Sequence, residues 1–128
     1  MKALLIDDNV EITDMLSQYL TLKGFDCTVS SNGTDGLDQI LSKKHDVVIL
    51  DIAMPEFSGI DLINSLEKKG KIKEHKIIVL TASSVTDEEL ANILDKGVVA
   101  TMKKPVDLSH LLEVVRICSQ LKASHIEK

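Results

Sequence analysis

Val47-Val48-Ile49-Leu50-Asp51-Ile52-Ala53-Met54-Pro55 is the stretch that decides the fold. Its four leading aliphatic residues are continuous rather than alternating, and three of them are β-branched. That pattern suits a strand covered on both faces, because a half-exposed strand would show a polar residue at every second position. The carboxylate directly after the run and the proline that follows mark where the chain leaves the sheet. A strand of this kind needs parallel neighbours and helices on either side.

Four more apolar runs extend outward from it: Ala3–Ile6, Cys27–Val29, Ile77–Leu80 and Val98–Met102, each followed by helical spacing. Ile12, Met15, Leu16, Tyr19 and Leu20 form one three-and-four stripe, and Leu62, Ile63 and Leu66 form another. Thr86 with Glu89 makes a capping box ahead of Leu90, Ile93 and Leu94. Asp107 is placed to cap a last helix carrying Leu108, Leu111, Leu112, Val115 and Cys118. The helix spanning roughly Gly33 to Ser42 has the fewest signals. Turns at Lys23-Gly24, Ser31-Asn32-Gly33, Lys69-Gly70 and Lys96-Gly97 close the units. The reading is a (βα)5 domain of the α/β class over residues 1–123, with a short tail at 124–128 expected to fray.

A chain of 128 residues with 44% hydrophobic content forms one core, and a second domain does not fit. The net charge of -5 repels phosphate backbones and anionic lipid, and a chain with no Trp, one Tyr and two Phe lacks platforms for stacking bases. Neither nucleic acid nor membrane is an expected partner. Cys27 and Cys118 lie far apart without a CxxC pattern, so they read as reduced core residues. The opening MKALLIDDN meets charge too soon for a signal peptide, and no later run is long enough to span a bilayer. The expected location is cytoplasmic.

In an open parallel sheet the loops at the carboxyl ends of the strands build the site. Here those ends carry Asp7-Asp8, Asp51, Thr81 and Lys103-Lys104-Pro105, all on one edge. Three converging carboxylates repel one another unless a divalent cation lies among them, and an oxygen-only donor set favours Mg2+ over zinc. A carboxylate beside Mg2+ can attack a phosphoryl group, while an ammonium and a hydroxyl supply the remaining charge and hydrogen bond. Asp51, Lys104 and Thr81 suit those roles. Asp7-Asp8 in isolation reads as a helix cap and Asp51 as turn chemistry before Pro55, but their joint placement argues for the site.

The order Asp7-Asp8, Asp51-Ile52-Ala53-Met54-Pro55 with Gly59, Thr81-Ala82 and Lys104-Pro105 closely resembles the receiver domains of two-component response regulators, of the stand-alone, CheY-like kind. The resemblance spans almost the whole chain. It implies a flavodoxin-like three-layer sandwich with a parallel five-stranded sheet of order 2-1-3-4-5. It also implies Asp51 as phosphoacceptor, served by a sensor histidine kinase or phosphotransfer protein. By motif position, Asp8, Asp51 and the Ala53 carbonyl would hold Mg2+ directly and Asp7 through water. Lys104 would pair with the phosphoryl oxygens, and Thr81 would swing toward them. The Lys104-Pro105 bond is often cis in the family. The domain would catalyse only its own phosphorylation and dephosphorylation, with no output domain of its own. It would signal to a downstream target protein as a monomer or weak homodimer.

The chain departs from the family at Thr101, where an aromatic residue often turns inward on activation, so a rotamer switch there is impossible. Ala53 and Ser83 flank the expected phosphorylation site and are both small, which leaves access for water. Two other functions compete. A binding module that has lost phosphorylation draws support from Thr101 but not from the retained Asp, Thr and Lys set. A haloacid-dehalogenase-type phosphatase would place its nucleophile in a DxD motif after the first strand, where this chain has adjacent aspartates. The four histidines, His45, His75, His110 and His125, have no spacing that joins them into a ligand set.

Overall fold

The computed structural model describes residues 1–121. The expected tail at 124–128, with His125, lies outside the described residues. Strands and helices alternate: β1 (Lys2–Ile6), α1 (Val10–Leu22), β2 (Asp26–Ser30), α2 (Gly33–Ser42), β3 (Val47–Asp51), α3 (Gly59–Lys68), a 3-10 turn (Ile72–Glu74), β4 (Ile77–Thr81), α4 (Asp87–Asp95), β5 (Ala100–Lys103) and α5 (Leu108–Ser119). All strand pairs are parallel and the sheet order is β2-β1-β3-β4-β5. This is the flavodoxin-like α/β architecture the sequence implied.

The continuous apolar strands are explained by the two cores. Side chains alternate across the pleat, so Ala3 and Leu5 join Leu16, Leu20, Val47, Ile49, Leu111 and Val115 on the face of α1 and α5. Leu4 and Ile6 join Val48, Leu50, Leu62, Ile63, Leu66 and Ile93 on the face of α2, α3 and α4. Every residue of β3 and β4 is buried. Each such aliphatic contributes about 1.5 to 3 kcal/mol by leaving water.

Helix starts follow their caps. Asn9, Asn32, Ser58, Thr86 and Asp107 each accept a backbone N–H of the first turn, and the Ser58–Asp61 and Thr86–Glu89 pairs close full capping boxes. Asn32, from the expected Ser31-Asn32-Gly33 turn, is therefore the cap of α2.

Three details differ from expectation. The fifth strand starts at Ala100, not Val98, because Gly97 turns with φ +121 and Val98 is inserted into the α2–α4 core as a loop residue. Met15 is 45% exposed, since Thr13 and Leu16 carry the buried face of α1. Leu94 is likewise exposed, and Ile93 alone in α4 is fully buried.

The chain runs from β1 outward to β2, then returns across β1 to β3. The strand order reverses between β1 and β3, and that crevice at the carboxyl ends is where such sheets bind ligands.

Candidate functional site

β1 and β3 run side by side with Ile6 opposite Leu50, so the residues that leave them, Asp7 and Asp51, emerge together. Asp7, Asp8 and Asp51 each offer a carboxylate oxygen, and these atoms lie within 4.8 Å of one another. Asp7 and Asp51 are buried and Asp8 is exposed, so the cluster opens to solvent on one side. Asn9, not either aspartate, caps α1, and its own N–H donates to Asp7 Oδ1 at 2.9 Å. The helix therefore makes no demand on Asp8 and a single one on Asp7. The sequence did not single out Asn9, although an Asn just before Val10 is a standard cap signal.

Lys104 reaches the carboxylates from the end of β5, where its N–H donates to the Thr81 carbonyl at 2.7 Å. Its ammonium lies 3.1 Å from Asp51 Oδ1 and 3.6 Å from Asp7 Oδ2. The Lys104–Pro105 peptide is cis. Lys103 is exposed. The Ala53 N–H donates to Asp51 Oδ1 at 3.4 Å, which sets Ala53 at the rim. Thr81 is fully buried at the end of β4, and its hydroxyl donates to the Met102 carbonyl at 3.4 Å rather than to a carboxylate. The structure thus joins Asp7, Asp8, Asp51 and Lys104 in one cluster and sets Thr81 on the adjacent strand end.

Asp7 Oδ2 is buried with no hydrogen-bond partner. Burial pushes the Asp7 carboxyl up to about 6, with the neighbouring Asp51 charge adding to it and the Asn9 N–H and Lys104 opposing it. Burial pulls the Lys104 ammonium down, but Asp51 and Asp7 together outweigh that and leave it above its ordinary value. An orphaned carboxylate oxygen among three close carboxylates fits a hard divalent cation bound by oxygen.

The buried Asp7 carboxyl ties stability to pH. Its folded value of about 6 lies above the ordinary 3.8, so the folded state holds the proton more tightly. The resulting penalty is absent below about pH 4, grows as pH rises, and is complete above about 6, where it costs about 2 to 3 kcal/mol. Asp7→Asn keeps an acceptor for Asn9 and removes the charge. In EDTA at pH 7.5 the variant is expected to melt several degrees above the wild type, with the gap narrowing to about half at pH 5. Thermal unfolding at the two pH values checks this, and a variant that melts lower at both contradicts it.

Beside Lys104 a recess of about 560 Å3 opens between α1 and the start of α5, lined by Ile12, Met15, Ala82, Ser83, Lys104 and Pro105. The exposed Met15 thus belongs to a surface that adjoins the carboxylates.

A family model described as the response regulator receiver domain matches residues 3–116. The transcriptional regulatory protein DltR of Streptococcus agalactiae is 33% identical over 117 residues, covering 91% of this chain and 51% of that protein. The response regulator MprA of Mycobacterium avium is 31% identical over 116 residues, covering 91% and 50%. The chain therefore spans about half the length of the curated relatives it matches. The receiver domain of Francisella response regulator 1452 superposes with a TM-score of 0.86 at 28% identity, over 93% of this chain and 96% of that one.

Proposed function

Because the chain belongs to the response regulator receiver domain family, we propose that residues 1–123 form one receiver domain, phosphorylated on Asp51 and signalling by protein contact. Receiver domains are phosphoacceptors, bind Mg2+ at an acidic pocket and interact with histidine kinases. The observation that carries the assignment to Asp51 is its position. It is the buried carboxylate 3.1 Å from Lys104, within 4.8 Å of two more carboxylates, at the mouth of the crevice.

In this reading Asp7, Asp8, Asp51 and the Ala53 carbonyl would hold Mg2+. When bound, the ion neutralises charge on the transferred phosphoryl oxygens. An Asp51 oxygen attacks phosphorus, the bond to the donor histidine nitrogen breaks, and the nitrogen keeps that electron pair. Lys104, already between Asp51 and Asp7, turns its ammonium to the new phosphoryl oxygens. Thr81 gives up the Met102 carbonyl to donate to the same group. Water reaches the acyl phosphate past the small side chains of Ala53 and Ser83, so the domain also returns itself to the resting state.

The recess beside Lys104 suits the kinase or phosphotransfer partner, because it pairs apolar lining with direct access to Asp51. Output to a downstream target uses the face of α4, β5 and α5, where Leu94 is 42% exposed and Thr101 excludes an aromatic switch. A monomer or weak homodimer in the cytoplasm is the setting this implies. Among the described residues no helix is long and apolar enough to cross a membrane.

The test is intact mass after incubation with acetyl phosphate. A single phosphoryl adduct is expected with Mg2+ and none with EDTA, and peptide mapping should place it on Asp51. A folded wild type that takes no adduct would favour a phosphorylation-independent binding module.

A further inference from the structure

The net charge of -5 conceals a polarised molecule. At the sheet edge opposite Asp51, where strands begin and helices end, stand Lys2, Lys43, Lys44 and the five lysines of residues 68–76. A recess of about 310 Å3 opens there between the end of α2 and the 3-10 turn, with Lys43, Lys44, Lys71, Glu74 and His75 around it and Ile40 among its lining.

Asp26, Asp46, Glu67 and Glu74 stand at the same edge, with Asp46 Oδ2 accepting the Lys2 N–H at 2.6 Å and the Lys76 ammonium donating to the Ser119 carbonyl at 3.4 Å, but the lysines outnumber these carboxylates. Lys71 has Glu74 at 3.7 Å, but both side chains are about half exposed or more, so the pair is loose. Among the described residues neither Lys43 nor Lys44 has a carboxylate within 4.0 Å. The carboxyl end of α2 accounts for about half a unit of negative charge, against two ammoniums just beyond it. Burial holds His75 below its ordinary value, and Lys44, His45 and Lys71 add to that against Glu74. Burial, Lys2 and Lys43 do the same to His45. The Nδ1 atom of His45 is buried without a hydrogen-bond partner. The recess therefore gathers three ammoniums, Lys43, Lys44 and Lys71, against the single carboxylate of Glu74, with neutral His75 beside them, in a concavity.

We propose that this recess binds a small anion bearing two or more phosphate groups, held by Lys43, Lys44, Lys71 and His75. A recess of about 310 Å3 has room for more than one phosphate, and its ammoniums come from two separate segments. A small anion is favoured over a nucleic acid by the concave shape and by a lining that holds no Phe, Tyr or Trp. A long polyanion would also extend beyond the roughly 10 Å over which the patch dominates, into the field of a negatively charged molecule. The proposal is independent of phosphorylation at Asp51 and gives the domain a second input on its far side.

The probe is pyrophosphate, added to isotopically labelled protein in EDTA so that the acidic cluster stays metal-free. Saturable amide shifts are expected in residues 40–44 and 71–75, unmatched by sulfate at equal ionic strength. Lys43→Gln with Lys44→Gln is expected to weaken binding about tenfold or more while leaving the Asp51 adduct unchanged. Equal shifts with sulfate, shifts confined to the Asp7 and Asp51 loops, or undiminished binding by the double variant would each overturn the proposal. So would duplex DNA binding more tightly than pyrophosphate with a steep salt dependence, which would mark the patch as a nucleic-acid surface.

Discussion

Asp51→Asn is expected to take no phosphoryl group from acetyl phosphate at any Mg2+ concentration, while remaining folded. An amide of the same shape has no anionic oxygen to attack phosphorus, so the loss is complete rather than graded. Asp7 and Asp8 do not replace it. Asp7 is tied through Oδ1 to the Asn9 N–H, and Asp8 is the exposed member of the set. The fold should tolerate the change well. Asp51 is only 3% exposed, and its charge helps keep the Asp7 carboxyl elevated, so its removal relieves a repulsion while Lys104 retains Asp7 at 3.6 Å. Intact mass should show no adduct, a loss of at least about a hundredfold relative to wild type, and thermal unfolding should show no loss of stability. An adduct of wild-type yield on the variant would move the phosphoacceptor elsewhere and remove the central assignment.

The sheet was legible because its signals are local. Val47–Leu50 and Ile77–Leu80 announce doubly covered strands by composition alone, and both are wholly buried. The carboxylates were legible for a related reason. Once the strands are placed, Asp7 and Asp51 must emerge on one edge, and the order β1 beside β3 makes them neighbours. What the sequence did not reveal depends on how loops and rotamers settle. Val98 looks like strand, yet Gly97 bends the chain and Val98 enters the core as a loop residue. Met15 fits the apolar stripe of α1, yet Thr13 takes the buried position and Met15 lines an open recess. Nothing in the order of residues says that Thr81 turns its hydroxyl to Met102, or that Asp7 keeps one oxygen without a partner. Net charge was the least informative reading. A sum of -5 gives no hint that lysines are in excess at one edge while Asp7, Asp8 and Asp51 cluster at the other.

Gly59→Ala is expected to damage stability and phosphorylation together, although the glycine carries no chemistry. Gly59 opens α3, and its N–H donates to the Ile52 carbonyl at 3.1 Å, which presses the helix start against the end of β3. A Cβ at this position would lie 2.7 Å from the Asp51 carbonyl oxygen and 2.7 Å from Ile52 Cα. Both are backbone atoms of the segment that aims Asp51, so no side chain can rotate away. Relief requires α3 to lift from the sheet or Asp51 to shift, at a cost of about 2 to 4 kcal/mol. For a domain of this size that lowers the melting temperature by about 10 °C. A displacement near 1 Å at the nucleophile slows adduct formation by up to about a hundredfold even in the folded fraction. Gly36→Ala separates this from a general intolerance of side chains. Its Cβ would meet Ile6 Cδ1 and Cγ2 at 2.8 Å, atoms of a buried, β-branched side chain with little freedom to turn, so stability should fall here too, but the clash spares the backbone of the Asp51 segment and the adduct rate of the folded fraction should be nearly unchanged. Thermal unfolding and initial adduct rates on both variants check the contrast. Equal losses of adduct rate in the folded fraction of the two would mean that the contact between α3 and the β3 end does not hold Asp51 in place.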